Sequence, residues 1–334
     1  MTPDDQSRMA EPPVEAAAGT FPAAPVSRPA AGGRLARRWR GLSANARGIL
    51  WMLAAAVGFG LMGALVKQLG TRLDSLQLAF FRGAVALLVL LPFLARAGWA
   101  TAMPHYPLRH LGRATTGMAA LVFGFYAFTH LPLATATAIS FAQPLFMVVL
   151  AVLLLRERVR WRRWTATLVG FAGVLVMLRP GHEALQTAAL AALANALFVA
   201  LSAVQVKAMP RDEKDLTLLF SFSFVAALAL FPPALLVWQA PTAQEWLLLG
   251  AMGGLGIASQ AAVVRAYRVG ADASLVAPFD YARLIVAAGL GFAFFAELPD
   301  VWTGAGAAII ILSTLYIARR EAVLGRPRKD PPLR

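Results

Sequence analysis

Three ionisable side chains stand inside long apolar runs of the sequence, namely Arg82, Asp280 and Arg283. A charge that is removed from water needs a counter-ion, a hydrogen-bond partner or a ligand, because an isolated buried ion is costly. Asp280 and Arg283 are three residues apart, which places them on one face of a helix. Two interpretations follow: Asp280 binds a cationic or protonatable group and Arg283 a carboxylate, or the two form an internal ion pair that holds their helix against a neighbour.

A second pair of polar positions is related by spacing. Gln143 precedes Glu157 by 14 residues, as Arg283 precedes Glu297. The two residues therefore occupy equivalent depths in the fourth and ninth apolar runs, and we predict a cavity lined by the third, fourth, eighth and ninth runs. The remaining polar side chains of these runs can line that cavity or hydrogen-bond one helix to another. The predicted substrate-binding set comprises Arg82, Tyr126, Gln143, Ser259, Gln260, Asp280, Tyr281 and Arg283.

Prolines interrupt the same two apolar runs. Pro144 follows Gln143, and Pro278 precedes Asp280 by two residues. A proline removes a backbone hydrogen bond, and the freed carbonyl can face a substrate or allow a helix to bend. We predict hinges at Pro144 and Pro278, with an ordinary packed kink as the alternative.

Several kinds of chemistry are excluded by the sequence. The chain has no cysteine, which removes thiolate catalysis and Cys-ligated metals. Its four histidines show no spacing of four residues and no nearby carboxylate group typical of a metal site. A GxGxxG pattern at 58–63 lies in an apolar run without a preceding strand, so close helix packing explains it better than a dinucleotide site. We expect no catalytic residues, no metal and no cofactor.

The apolar runs themselves identify the elements that must hold these side chains. The chain has 334 residues, of which 59% are hydrophobic and 14% charged, against about 45–50% and about 25% in a soluble domain. A helix of about 20 residues crosses a bilayer core. We therefore predict an all-α membrane protein with ten transmembrane helices, at 48–66, 75–95, 114–129, 134–155, 164–178, 184–206, 216–238, 245–264, 272–295 and 302–318.

The basic residues predict the orientation. With the N-terminus inside, 26 of the 31 Lys and Arg residues fall on the cytoplasmic side and three on the outer side, as the insertion bias of basic loops requires. Arg109 and Arg113 count here as residues of a cytoplasmic loop. Lys67 ends an apolar run, where its long side chain is expected to reach the membrane interface. Glu297 also ends a run, and we expect it to provide interfacial anchoring and charge balance, with a role in coupling as the alternative. The net charge of +14 thus belongs to loops, and nucleic acid is not an expected partner.

The sequence also repeats itself. Val66 and Lys67 match Val206 and Lys207 at an offset of 140, and Glu157 matches Glu297 at the same offset. Further pairs follow in order at offsets of 138 to 141: Asp74 with Asp215, Pro92 with Pro233, and Trp164 with Trp302. Five helices per half is an odd number, so the second half enters from the opposite side. Such inverted repeats are typical of secondary transporters, whose site lies near the midplane.

Four stretches carry a more specific resemblance: GTRLDSLQLAFFRGAVALLVLLPF (70–93), ATATAISFAQPLFMVVLAVLLLRERV (134–159), RRWTATLVGFAGVLVMLRP (162–180) and DASLVAPFDYARLIVAAGLGFAFFAELPD (272–300). They resemble the EamA-domain transporters of the drug/metabolite transporter (DMT) superfamily. Within it, the combination of AFFR, RRW…VGFAG…LRP and, in the second half, APFDY…FAELPD is similar to the S-adenosylmethionine uptake carriers. The resemblance implies two EamA repeats, at 46–180 and 181–320, between a disordered cytoplasmic tail at 1–45 and a second tail at 321–334.

The resemblance implies a secondary transporter, and not an enzyme, that moves a small organic metabolite across the cytoplasmic (inner) membrane by alternating access. The metabolite is amino-acid-like or nucleoside-like, with S-adenosylmethionine uptake as one case. A metabolite or drug exporter of the same family stays open, as does a lipid-handling protein or an intramembrane enzyme. We expect a small-molecule substrate and membrane lipid as partners, both termini in the cytoplasm, and proton coupling and a homodimer as open alternatives.

Overall fold

Helices begin at capping residues. The Asp74 carboxylate accepts a hydrogen bond from the backbone N–H of Leu76 at 2.8 Å and starts the second helix. Thr242 and Glu245 form a capping box, in which each side chain accepts from the backbone of the other residue. Such contacts satisfy amide groups that the first helical turn leaves without partners. Pro107 occupies the first turn of the third helix, where its missing N–H has no cost.

The computed structural model describes residues 41–155, 161–178, 183–209, 213–269 and 276–324, and every regular element in these ranges is helical. The α-helices are α1 (Ala44–Leu69), α2 (Ser75–Ala97), α3 (Pro107–His130), α4 (Leu133–Ser140), α5 (Gln143–Leu155), α6 (Trp161–Leu178), α7 (Glu183–Lys207), α8 (Asp215–Leu236), α9 (Ala243–Arg268), α10 (Ala282–Phe295) and α11 (Val301–Leu324). Short 3₁₀ segments span Trp99–Ala102 and Ala277–Tyr281. Most of the predicted N-terminal tail lies outside the described residues, as do Glu157 and most of the predicted C-terminal tail.

Seven helical stretches of the described chain are long and apolar enough to cross a membrane. They are Ala44–Leu69, Ser75–Ala97, Leu133–Leu154, Thr187–Val206, Asp215–Leu236, Ala243–Tyr267 and Pro278–Phe295. Within α6 and α11, shorter apolar helices run over Trp164–Val176 and Val301–Tyr316. The all-α membrane fold is thus confirmed for the described residues, whereas the count of ten spans stays a prediction.

The helices pack in a pattern that repeats between the two halves. The most extensive contacts join α1 to α9 and α3 to α7, and these two pairings correspond when the halves are exchanged. Helix α2 packs on its own counterpart α8, and α6 on α11. Glycines bring the backbones close: Gly58 faces Ser259, and Gly60 faces Val286. The glycines of the GxGxxG pattern therefore serve helix packing, as is common in membranes.

Side-chain contacts define two ends of the bundle. The proximal end holds the start of α1 and the 98–106 connection, where Thr217 donates a hydrogen bond to the carbonyl of Thr101 at 2.8 Å. The distal end holds the 70–74 and 237–242 connections, joined by two hydrogen bonds between Gln77 and the backbone of Gln239. Arg72 bonds Glu245 there, and this hydrogen bond together with the Glu245 charge raises the pKa of Arg72. The outward surface between the ends is largely apolar, as lipid contact requires.

The fourth and ninth apolar runs are both discontinuous. The fourth divides into α4 and α5 at Phe141–Ala142, and the ninth changes from a 3₁₀ segment to α10 after Tyr281. These breaks are 140 residues apart, and the rings of Phe141 and Tyr281 meet edge to face with centroids 4.8 Å apart. Residues that meet their own repeat equivalents lie near the axis relating the halves. The two broken helices therefore cross at the centre of the molecule.

Candidate binding cavity

A cavity of about 630 Å³ extends from the proximal end to the middle of the bundle. Val206, Asp215 and Tyr267 line it at the proximal ends of α7, α8 and α9. Phe59 and Gln143 line it at mid-depth. Its volume lies in the range of small-molecule sites. Helices from both halves contribute, so the cavity lies between the repeats.

Five of the eight predicted site residues line this cavity: Arg82, Gln143, Gln260, Asp280 and Arg283. Gln143 and Arg283 are repeat equivalents, 140 residues apart, and both face the same space. The predicted third, fourth, eighth and ninth runs do contribute to the lining, but the first, second, sixth and seventh contribute as well. The prediction of a four-run lining was therefore too narrow. The cavity-lining residues of α1 and α7 are apolar or small and give no strong polar signal, whereas Arg82 of α2 was already in the predicted site set.

The other three predicted site residues lie elsewhere. Ser259 is 3% exposed and packs against Gly58 between α1 and α9. Tyr281 packs on Phe141 at the crossing of the broken helices. Tyr126 stacks on His130 with ring centroids 4.1 Å apart and borders a separate groove of about 600 Å³ between the start of α2, α3 and α7. These positions favour the packing alternative for all three.

The predicted hinge prolines lie next to the helix breaks. Pro144 is the second residue of α5, directly after the break at Phe141–Ala142. Pro278 lies in the 3₁₀ segment that precedes α10. In both places the proline occupies a first turn, where no helical N–H bond is lost. The interruptions are structural features, and their role as hinges stays a prediction.

Arg82 is buried at mid-depth in the cavity wall and is only 6% exposed. Its Nε atom has no hydrogen-bond partner. Gly256 of α9 provides the space for it, since a Cβ at that position would collide with the Nε and Cζ atoms of Arg82. The second helix therefore places a guanidinium in the cavity wall, in a space that glycine at position 256 leaves open.

Asp280 and Arg283 form the pair that their spacing predicts, but it is loose. Arg283 Nη2 lies 3.8 Å from Asp280 Oδ2, and the two side chains are 22% and 35% exposed, respectively. The Arg283 guanidinium lies over the rings of Phe59 and Phe141, 5.7 and 5.1 Å from their centroids. Cation–π contacts of this kind hold the guanidinium in place. The Asp280 carboxylate is thus left partly open to the cavity.

Two further charged residues, which the sequence did not identify as site residues, line the cavity. Arg113 belongs to the second turn of α3 and not to a loop, and its guanidinium donates to the carbonyl of Leu218 at 2.9 Å. Asp215 is the first residue of α8. Both stand at helix ends, where charged residues ordinarily meet water. Helix α3 begins at Pro107, earlier than predicted. Proline is common in a first helical turn, so Pro107 was the sequence signal that could have placed Arg113 within a helix.

A buried cluster of titratable groups joins α3 to the segment before α8. His110 is 3% exposed, and its Nδ1 lies 2.7 Å from Ser221 Oγ. Its Nε2 lies 3.4 Å from a carboxylate oxygen of Glu213, which also accepts the backbone N–H of His105 at 2.8 Å. None of these groups lines the cavity. Sequence spacing gave no sign of the cluster, because His110 and Ser221 are 111 residues apart.

The distal side of the broken helices carries an ion pair. Lys67 Nζ lies 2.7 Å from Glu297 Oε1 and donates to the carbonyl of Leu131 at 2.6 Å. Glu297 Oε2 accepts the backbone N–H of Leu133 at 2.8 Å. The side chains are 15% and 19% exposed, so the two charges balance each other in a largely buried pair, and their position relative to the membrane interface stays a prediction. Lys67 is held by Glu297 and by the carbonyl of Leu131. Glu297 is held by Lys67 and by the backbone N–H of Leu133 at the start of α4.

Comparison with known proteins places this architecture in a family. The model of the EamA-like transporter family matches residues 46–179 and 186–319. A protein of known crystal structure has a TM-score of 0.56 and 21% identity, covering 82% of this chain and 99% of its own. That similarity concerns the fold alone.

Named relatives are similar over most of their length. An S-adenosylmethionine uptake transporter of Rickettsia prowazekii is 35% identical over 274 residues, covering 82% of this chain and 93% of the relative. The pseudopaline exporter CntI of Pseudomonas aeruginosa is 30% identical over 279 residues, 82% of this chain and 96% of the relative. A riboflavin transporter of Vibrio cholerae is 31% identical over 294 residues, 85% and 97%. With two matched repeats, apolar helices and a central cavity, the chain belongs to the EamA-like transporter family and is a multi-pass membrane transporter of small molecules.

Proposed function

We propose that this transporter crosses the inner membrane ten times as two inverted five-helix repeats, keeps both termini in the cytoplasm and works by alternating access. The observation that carries the proposal is the asymmetry of the cavity. It reaches the proximal end between α7, α8 and α9, while the Lys67–Glu297 pair joins the halves on the distal side. The bias of basic residues in the loops supports a cytoplasmic proximal end. The structure then corresponds to the inward-facing state.

S-adenosylmethionine is the substrate we propose, with uptake as the direction. The relative from Rickettsia prowazekii carries that name at 35% identity. The cavity also suits a molecule with charges of both signs, since guanidinium groups and carboxylates line it together with aromatic rings. We assign substrate binding to the predicted residues that face this space: Arg82, Gln143, Gln260, Asp280 and Arg283.

Export of a charged metabolite is the second candidate. The exporter CntI from Pseudomonas aeruginosa covers the same share of the chain at 30% identity. Alternating access is reversible, so one cavity serves import or export according to the gradient that drives it. The two candidates share a site and differ in direction.

Purified full-length protein in proteoliposomes tests both candidates. Labelled S-adenosylmethionine is supplied outside or preloaded inside, with and without a proton gradient, and protein-free liposomes serve as the control. Saturable entry that unlabelled substrate competes away supports uptake. Efflux driven by the proton gradient, without net entry, supports the exporter. No flux above protein-free liposomes in either direction refutes S-adenosylmethionine as the substrate.

A further inference from the structure

Arg82 differs from the other two arginines of the cavity in its surroundings. Arg113 bonds the Leu218 carbonyl, and Arg283 has Asp280 and two aromatic rings. Arg82 makes no hydrogen bond or ion pair with any residue in the described part of the chain, and it is 94% buried, being 6% exposed. Of the three arginines that line the cavity, Arg82 is therefore the one whose guanidinium has no partner among the described residues.

An unpaired buried guanidinium has a clear physical requirement. Arginine stays protonated in proteins, so it cannot escape the cost of burial by losing its charge. Such a charge is retained where it pairs with another group, faces a water-filled cavity or marks a substrate pathway. The opening at Gly256 sets the guanidinium in the cavity wall, with Ile257 and Gln260 of the same helix lining the adjacent space. An anionic group of the transported molecule can therefore reach Arg82 through the cavity.

We propose that Arg82 is the carboxylate-binding residue of this transporter and that Gly256 is the residue that makes this subsite accessible. The guanidinium presents a planar fork of donors that matches a carboxylate with two parallel hydrogen bonds. A dianion such as a phosphate monoester suits the cavity less well, because Asp215 and Asp280 also line it and like charges repel. The substrate class is a small zwitterion or cation that carries one carboxylate.

This inference rests on the proposed function and adds a direction of binding. The carboxylate end lies against α2 and α9, while Asp280 of the 3₁₀ segment, 35% exposed, remains for a cationic group. Amino-acid substrates without a net anionic charge fit this arrangement. Neutral or purely cationic molecules leave Arg82 unpaired and are expected to bind weakly.

The test compares two ligands that differ in one group. S-adenosylmethionine and its decarboxylated form are titrated onto the purified full-length chain. Wild-type protein is expected to favour the carboxylate by roughly 10- to 100-fold, the value of hydrogen bonds to a charged group. In Arg82→Gln this preference falls towards one, and Arg82→Lys retains part of it, because an ammonium lacks the planar fork.

Two control variants separate this role from general damage. Arg283→Gln is expected to weaken both ligands and keep their ratio. Arg96→Gln removes an exposed arginine at the proximal end of α2, which does not line the cavity, and is expected to change neither affinity. An Arg82→Gln variant that keeps the wild-type ratio overturns the proposal.

A second measurement does not depend on the substrate. Arg82→Met keeps an unbranched apolar stem and removes the charge, so the ligand-free variant should unfold at the same temperature as wild type or higher. A marked fall in the unfolding temperature, relative to Arg96→Gln, means that Arg82 is needed for packing and contradicts the proposal. If wild-type protein binds neither ligand, S-adenosylmethionine falls as the substrate, and this stability comparison alone decides the role of Arg82.

Discussion

Gly256 of α9 determines the space available to the side chain of Arg82 in α2. The guanidinium of Arg82 occupies the space that a side chain at this position would fill. We expect Gly256→Ala to displace Arg82 and reduce substrate uptake at least several-fold. Uptake in proteoliposomes, normalised to inserted protein, measures the effect.

The same helix offers a matched control. Gly254 has nothing within 4 Å of the position of an added Cβ. Gly254→Ala should transport normally and gain up to about 1 kcal/mol from the better helix propensity of alanine. Equal uptake by Gly254→Ala and Gly256→Ala would contradict the role assigned to the close approach at Arg82.

The Asp280–Arg283 pair gives a second test at the residue scale. Because the two charges are 3.8 Å apart and partly exposed to the cavity, a single neutralisation should cost about 1 kcal/mol or less, as for other solvated pairs. We expect Asp280→Asn and Arg283→Gln, alone or together, to leave the protein folded and to abolish efficient uptake. Size-exclusion chromatography of the detergent-solubilised protein monitors folding.

The double variant separates binding from structure. If the pair only holds α10 in place, Asp280→Asn with Arg283→Gln is neutral and should regain both folding and transport. Wild-type flux in the double variant removes these two residues from the site and shifts attention to Gln143 and Gln260, which line the same cavity.

At the scale of helices, the two broken runs are the distinctive elements. Each divides near the molecular centre, and their breaks meet at Phe141 and Tyr281. Discontinuous helices at a repeat interface expose backbone groups and allow half-helices to move separately. On the distal side, Lys67 and Glu297 tie the end of α1 to the start of α4 and the segment after α10. We expect this arrangement to hold the distal side closed in the proposed inward-facing state.

Neutralising one member of that pair should favour the opposite state. Glu297→Gln removes the partner of a largely buried ammonium, and such losses cost about 3–5 kcal/mol. Since the chain has no cysteine, Gln143→Cys introduces a single thiol into the lining of the cavity. In the Glu297→Gln background, we expect this thiol to react at least about tenfold faster with a membrane-impermeant reagent added from the outer side.

The control for this experiment is Arg72→Gln. Arg72 also pairs across the distal end, with Glu245, but its side chain is 39% exposed, and exposed pairs contribute little. Its removal should leave the labelling rate unchanged. A thiol that reacts equally in the Glu297→Gln and wild-type backgrounds would show that the Lys67–Glu297 pair does not hold the distal side closed.

At the scale of the whole molecule, orientation determines the direction of every transport step. Met103 lies in the proximal 98–106 connection, and Ala240 lies in the distal 237–242 connection. Single cysteines at these positions should react with an impermeant reagent from opposite sides of the membrane, Ala240→Cys from outside and Met103→Cys only after permeabilisation. Reaction of both from the same side would contradict the proposed topology.

The all-α membrane fold, the two repeats and several of the apolar spans followed from sequence alone. Span position depends on local composition, since each stretch of about 20 apolar residues partitions into the membrane by itself. Landmarks such as Lys67 with Lys207 keep their spacing because the halves share one fold. Gln143 and Arg283 were therefore predicted to face one cavity, and they do.

Side-chain contacts between distant residues depend on the tertiary structure and could not be predicted from the sequence. Ser259 contacts Gly58, Lys67 pairs with Glu297, and His110 lies within hydrogen-bond distance of Ser221, although the partners are far apart in the chain. Only the packing of whole helices determines the face that each residue presents, and a nearly uniform apolar helix gives no periodic signal of that face. The sequence predicted Arg82 as a substrate-binding charge, and the packing of α2 against α9 determines its surroundings, with the guanidinium in the space left by Gly256.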